Sequence, residues 1–203
     1  MKSIKTLLKR IPWVRDRALI ATKIALRLFY PKFQQAPGQR IRSKTILFYA
    51  FFQKILRVNW QVPWPVHFTS KVSGWHKMDI APGYPPGWSP GTYIQAFNGM
   101  IVEEDCYLGP HVAFITANHD YLSGNMETHL PDAPIILRRG VWVGAHTTIL
   151  PGIELGPGVI VGAGSVVTRS FPEGGVVIAG VPAKVVRTLD PRDNPSPRSD
   201  STP

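Results

Sequence analysis

Residues 137–167 read LRRGVWVGAHTTILPGIELGPGVIVGAGSVV, and an aliphatic residue returns at every sixth position: Leu137, Val143, Ile149, Leu155, Val161, Val167. Two residues before the last five stand Val141, Thr147, Ile153, Val159 and Ser165, all small or β-branched, and Gly144, Gly156 and Gly162 directly follow three of the aliphatic positions. A period of six fits neither an α-helix nor an alternating strand. It fits a coil with three flat sides of about six residues each, in which one aliphatic side chain per side points inward and stacks on its equivalent about 18 residues away. The expected fold is therefore mainly β, a parallel β-helix with a column of Val, Ile and Leu inside, its glycines supplying the backbone conformations that corners require.

A second block with the same period runs Ala96, Val102, Leu108, Phe114, with Met100, Cys106 and Val112 at the companion positions. Phe114 and Leu137 are 23 residues apart, not a multiple of six, so a segment must loop out between the blocks. That segment is residues 120–134, which lacks periodicity, and an excursion from a rigid scaffold is where function tends to sit. After Val167 the repeat fades, and residues 190–203, rich in Pro, Ser, Asp and Arg, are expected to be disordered.

With 203 residues, 44% of them hydrophobic, the chain can bury a sizeable core and is not a disordered protein. Its single cysteine, Cys106, excludes an intramolecular disulfide framework and a cysteine-based zinc site, and points to a reducing, cytoplasmic compartment. The repeat phase makes Cys106 a buried core thiol. The net charge of +10 hides a division: residues 1–60 hold 14 Lys/Arg against one acid, Asp16, a net +13, while the remainder is net −3. Such an asymmetry suits an acidic partner surface.

Residues 1–60 read as two helical stretches, Trp13 to Tyr30 and Ser43 to Trp60, around a turn at Ala36-Pro37-Gly38. Leu19, Ile20, Ile24 and Leu28 share one face of the first, flanked by Arg15, Lys23 and Arg27, with Trp13, Phe29 and Tyr30 expected to be exposed aromatics. Neither stretch reaches the ~20 apolar residues that span a bilayer, and Arg15, Asp16 and Arg17 interrupt any secretory signal. The segment reads as a helical pair lying peripherally on an anionic membrane face, or else as a solvated cap over residues 61–189. Its periodicity and aromatics fit lipid better than nucleic acid, which is not expected as a partner.

Ordered motifs carry a resemblance: Pro134-Ile135-Ile136-Leu137, Val141-Trp142-Val143-Gly144, Ile149-Leu150-Pro151-Gly152, Val161-Gly162-Ala163-Gly164-Ser165-Val166-Val167-Thr168 and Gly180-Val181-Pro182-Ala183-Lys184. In these the chain is similar to the hexapeptide-repeat acyltransferases, and among them to the sugar O-acetyltransferases that include galactoside, maltose and exopolysaccharide-cluster enzymes. The resemblance covers roughly residues 90–189. It implies a left-handed parallel β-helix, assembly as a homotrimer, and acetyl-CoA and acceptor bound between neighbouring subunits. His119 stands at the position of the family's catalytic histidine, and an imidazole suits the task, because a hydroxyl must lose its proton to attack a thioester near neutral pH. Trp142, Gly144, Ala145, Ala163, Gly164, Thr168, Lys184 and Arg187 match positions that bind CoA, with the Ala145 amide a donor for the oxyanion. Asn98, Asp79 and His129 are candidates for the acceptor, with turn chemistry the alternative for Asn98 and Asp79. A histidine metal site gathering His111, His129 and His146 with His119 is not expected, because the spacings from His111 to His119 and from His119 to His146 do not match those of the β-helical carbonic anhydrases. The expected function is acetyl transfer to a sugar hydroxyl on a polysaccharide or lipid-linked glycan precursor. A xenobiotic or serine acetyltransferase and an inactive trimeric binding scaffold are the alternatives.

Overall fold

A computed structural model describes residues 12–190 except 32, 37, 38, 40, 121–124 and 130–132. The side chains of 12–19, 120 and 125–129 also fall outside the description, and with them Trp13, the His129 imidazole and much of the expected excursion; the expected tail lies outside it from 191 onward. The chain begins with α1 (Pro12–Phe29) and α2 (Ser43–Ala50), which runs into a π-helical turn at Phe51–Ile55. Strands follow: β1 (Lys71–Ser73), β2 (Met78–Ile80), β3 (Tyr93–Gln95), β4 (Met100–Val102), β5 (Tyr107–Leu108), β6 (Ala113–Ile115), the hairpin β7 (His119–Asp120) and β8 (Asn125–His129), β9 (Ile135–Leu137), β10 (Trp142–Val143), β11 (Thr148–Ile149), β12 (Glu154–Leu155), β13 (Ile160–Val161), β14 (Val166–Val167), β15 (Val176–Gly180) and β16 (Ala183–Thr188).

The strands stack into three sheets that the chain visits in turn. The first face is β1-β3-β6-β11-β14, the second β2-β4-β9-β12 and the third β5-β10-β13-β15-β16. Pairing is parallel except where β16 folds back on β15 and within the β7–β8 hairpin. Val143 lies opposite Val161, Ile149 opposite Val167 and Leu137 opposite Leu155, each pair 18 residues apart, as the six-residue period requires. All six side chains are buried, as are their companions Val141, Thr147, Ile153, Val159 and Ser165. Each fully buried aliphatic of this column contributes about 1.5–3 kcal/mol, so the column itself is the main stabilising element.

The repeat's glycines act differently from expectation. Left-handed backbone, with φ between 57° and 73°, occurs at Asp105, His111, Gly140, His146, Gly152, Gly158 and Gly164, each directly before a companion residue. Gly144, Gly156 and Gly162 are not left-handed. They are small because the next coil presses on them: a Cβ on Gly144 would sit 2.6 Å from the Ala163 nitrogen, and one on Gly156 would sit 2.2 Å from the Pro172 carbonyl oxygen.

The first block is also displaced. Phe114 pairs with Ile94, 20 residues back, and not with Ala96, because this coil takes two extra residues. Ala96 is still buried, whereas Leu108 is only half-buried. The coil that carries the excursion takes 35 residues, from Phe114 to Ile149, before the register resumes.

The N-terminal helices pack on each other and on the end of the coil. Ala25, Leu26 and Tyr30 join Ile41, Ile46 and Ala50 in a small second core. Gln53, fully buried, clamps this unit to the coil: it donates to the carbonyls of Asn59, Val62 and Trp64 and accepts from Tyr30 Oη at 2.8 Å and Val66 N at 3.0 Å. Two expectations are corrected here. Tyr30 is 1% exposed, not an exposed aromatic, since its hydroxyl has a partner 23 residues away; Phe29 is half-buried. The second helical stretch stops at Ile55, not Trp60, because Arg57 and Asn59 adopt left-handed backbone. No helix among the described residues is long and apolar enough to cross a membrane.

Candidate active site

Of the residues singled out in the sequence, His119 and the Gly144, Ala145, Ala163 and Gly164 group fall on two different edges of the prism, while Asp79, Trp142, Lys184 and Arg187 lie on strands of its faces. At the edge between the first and second faces, β6 ends, three residues follow, and His119 opens the β7–β8 hairpin with its side chain exposed. A largely buried network fixes the first two of those residues, Thr116 and Ala117. Thr116 Oγ1 donates to the Gln95 carbonyl at 2.8 Å, the Asn98 amide donates to the Thr116 carbonyl at 2.8 Å, and the Ala117 N–H donates to Gln95 Oε1 at 3.3 Å. Asn98 thus tethers the backbone three residues from His119. The backbone of His129 lies opposite that of His119 in the hairpin, so the two histidines share one register position. Asp79 is exposed on β2, the outermost strand of the second face, with β4 between it and β9. Strand spacing puts that separation at roughly 10 Å along the axis.

The other edge lies between the third and first faces, where each coil passes one tripeptide: Gly109-Pro110-His111, Gly144-Ala145-His146, Gly162-Ala163-Gly164. These stack directly, with His146 N–H donating to the Pro110 carbonyl and Gly164 N–H to the Ala145 carbonyl at 2.8 Å. The amides of Ala145 and Ala163 donate to no acceptor among the described residues, and Pro110, one coil below, has no N–H at all. Two unused donors therefore line a strip kept smooth by glycine and alanine. His111 and His146 stack in parallel, ring centroids 4.8 Å apart and planes within 4°, both in left-handed backbone. Parallel rings aim their lone pairs side by side and not at a common point. No group of three His, Cys, Asp or Glu among the described residues is arranged to hold a metal ion.

Two clefts lie on the described surface, and the first reaches the strip at Gly109. One, of about 280 Å³ on the third face, is walled by Tyr84, Trp88, Tyr107 and Trp142. Trp142 and Tyr107 lie opposite each other on β10 and β5, both more than half exposed. The sequence reading missed Tyr84, Trp88 and Tyr107; Tyr107 was legible, since it precedes Leu108 as Trp142 precedes Val143. The second cleft, of about 340 Å³, brings Thr168, Arg169 and Lys184 together. Arg187, further along β16, does not line it. Cations around a cleft suit phosphate groups. Cys106 is no nucleophile: its thiol donates to the Arg138 carbonyl at 3.2 Å, and burial pushes its pKa up to about 12.

A family model described as bacterial transferase hexapeptide (six repeats) matches residues 134–169. The chain is 34% identical over 97 residues to galactoside O-acetyltransferase of Escherichia coli K12, covering 46% of each. It is 32% identical over 106 residues to the putative lipopolysaccharide biosynthesis O-acetyl transferase WbbJ of the same strain, covering 47% of this chain and 54% of that one. The chain thus spans about half the length of the curated relatives it matches. Among solved structures, a hexapeptide-repeat acetyltransferase of Vibrio cholerae complexed with acetyl coenzyme A superposes with a TM-score of 0.51 at 18% identity, over 90% of this chain and 92% of that one, a likeness of fold. Residues 134–169 are hexapeptide repeats of the bacterial transferase type, and across its repeat region the chain resembles the hexapeptide-repeat acyltransferases.

Proposed function

We propose that the chain is an acetyl-CoA-dependent O-acetyltransferase acting on a sugar hydroxyl, on a polysaccharide or lipid-linked glycan precursor, with residues 61–189 as the catalytic unit. The observation that carries this reading is the division of the site: an exposed imidazole fixed at one edge, and unused backbone donors at another. A side of about six residues at ~3.3 Å per residue puts adjacent edges up to ~20 Å apart, too far for His119 and the Ala145 amide of one chain to meet on one reacting group. A left-handed coil assembled as a trimer would set the His119 edge of one subunit against the Ala145 edge of the next. His119 takes the proton from the acceptor hydroxyl as the oxygen attacks the thioester carbonyl. The Ala145 amide holds the developing oxyanion, and the departing thiolate receives the proton from His119. The Ala163 amide and the glycine strip accommodate the pantetheine arm, Trp142 with Tyr107 gives the bound CoA an apolar wall, and the cleft at Thr168 and Lys184 takes its phosphates. Galactoside and lipopolysaccharide acetyl transfer are named for the relatives, which supports a sugar acceptor.

The test is release of free CoA thiol from acetyl-CoA with a panel of sugars. His119→Ala is expected to lower kcat by about 10²–10⁴-fold with an unchanged thermal midpoint. A variant that retains the wild-type rate removes His119 from the chemistry.

A further inference from the structure

α1 turns Thr22, Ala25 and Leu26 toward the protein and leaves Ile20, Ile24 and Leu28 exposed, at 55%, 61% and 70%. Their spacing of four puts these three on one ridge. α2 and its π-helical turn do the same with Leu47, Phe48, Phe51 and Ile55, while Ile46, Tyr49, Ala50 and Gln53 face inward. Scattered exposed apolar residues need no explanation, but two half-open apolar ridges on adjacent packed helices do: among the described residues Phe48 has edge contacts with Phe52 and Phe68, and Phe51 with Phe52, and the outer sides of both ridges stay exposed. Charge identifies what covers them. Lys23 and Arg27 alternate with the ridge residues of α1, and Arg42 and Lys44 stand at the start of α2, all four exposed. Lys54 is not among these, since its ammonium donates to the Trp60 and Val62 carbonyls. No carboxylate occurs between Asp16 and Asp79, so nothing in the sequence of this segment neutralises its cations. A protein partner would be expected to meet alternating charge, whereas apolar ridges flanked by one sign of charge match the boundary between acyl chains and anionic headgroups.

We infer that the outer ridges of α1 and α2 dock the protein on an anionic lipid bilayer surface, lying in its plane. This goes beyond the transfer chemistry and does not depend on it. The experiment is co-sedimentation of the full chain with vesicles of phosphatidylcholine alone or with about one third phosphatidylglycerol, at roughly 0.1 M and 0.5 M NaCl. The expected result is binding only to the anionic vesicles and only at low salt. The double variants Ile24→Ser with Leu28→Ser, and Lys23→Glu with Arg27→Glu, are each expected to weaken binding about tenfold or more. All four side chains are exposed, so folding and acetyl transfer to a water-soluble sugar stay at the wild-type level, which separates this test from that of the active site. The inference is overturned if wild-type protein stays in the supernatant, if either variant binds as wild type does, or if duplex DNA is bound more tightly than the anionic vesicles. A fall in solution molar mass on Ile24→Ser with Leu28→Ser overturns it too, by making the ridge a contact between copies.

Discussion

Replacing Ala145 with proline removes one N–H and nothing else of consequence to folding. Proline demands φ near −65° and an extended residue before it. Both demands are already met one coil below, where Gly109-Pro110-His111 occupies the same edge, and Ala145→Pro turns Gly144-Ala145-His146 into a copy of that tripeptide. The backbone is matched as well: His111 N–H donates to the Pro90 carbonyl at 2.9 Å and His146 N–H to the Pro110 carbonyl at 3.0 Å. No internal hydrogen bond among the described residues is lost, since the Ala145 amide makes none there. The thermal midpoint should therefore move little. If that amide holds the oxyanion, deleting it costs about 2.7–4 kcal/mol of transition-state stabilisation, a fall of about 10²–10³ in kcat. Ala163→Pro, one coil above, removes a donor assigned only to holding the pantetheine arm; at about 1 kcal/mol for a net hydrogen bond it should raise the KM for acetyl-CoA about fivefold and leave kcat alone. Steady-state kinetics with acetyl-CoA varied, beside thermal unfolding of both variants, distinguishes the two. An Ala145→Pro enzyme that is folded and turns over at the wild-type kcat refutes the oxyanion assignment.

Stability offers three further checks. Gln53→Ala strands the Tyr30 hydroxyl and the Val66 N–H in a buried site, so denaturant unfolding should show a loss of about 3 kcal/mol, with early protease cleavage in the helical pair; unchanged stability would remove the clamp from the account. Gly144→Ala should cost more than about 2 kcal/mol, since its Cβ would press on backbone, whereas Gly164→Ala, in left-handed backbone but open space, should cost only about 1 kcal/mol; the reverse order of denaturation midpoints would contradict the close-approach argument. Cys106 holds its proton more tightly folded, at about 12, than at its ordinary value of 9.0, so its own contribution to stability is full below pH 9 and falls by about 1.4 kcal/mol per unit from there to about 12, with the buried Tyr30 and Tyr49 hydroxyls adding to the loss above pH 10; Cys106→Ala should remove the part of the limb that begins near pH 9 in a pH series of urea melts, and an unaltered onset would place its origin elsewhere.

Where side chains repeat, the sequence was easy to read. A residue that must stack on its own equivalent cannot vary freely, so Leu137 to Val167 announced the column, and Cys106 showed its burial by its phase alone. What was hidden depended on partners distant in sequence. Tyr30 reads as an exposed aromatic until Gln53 supplies its hydrogen bond, and nothing local marks Gln53, whose other partners include Val62, Trp64 and Val66. The extra residues before Met100 moved Ile94, not Ala96, beneath Phe114, a slip that two residues suffice to cause. The corner signal was present and misassigned: residues 140, 146, 152, 158 and 164 carry the left-handed turns at the same period of six, but His146 broke the glycine pattern that would have marked it. For the site, His119 and the Gly-Ala strip were nameable, yet their placement on separate edges is a property of the three-sided coil and not of any local motif.

That separation is what the account rests on. His119→Ala and Ala145→Pro proteins, each inactive alone, should be co-expressed and the mixed assemblies purified and assayed for acetyl-CoA-dependent thiol release. If the chain assembles as a trimer and each site takes its imidazole from one subunit and its amide from the next, every mixed trimer holds one intact site of three, and the purified mixed assemblies should show about a third of the wild-type rate. Mixed assemblies as inactive as their parents would show that both groups act within a single chain, and would contradict the shared site.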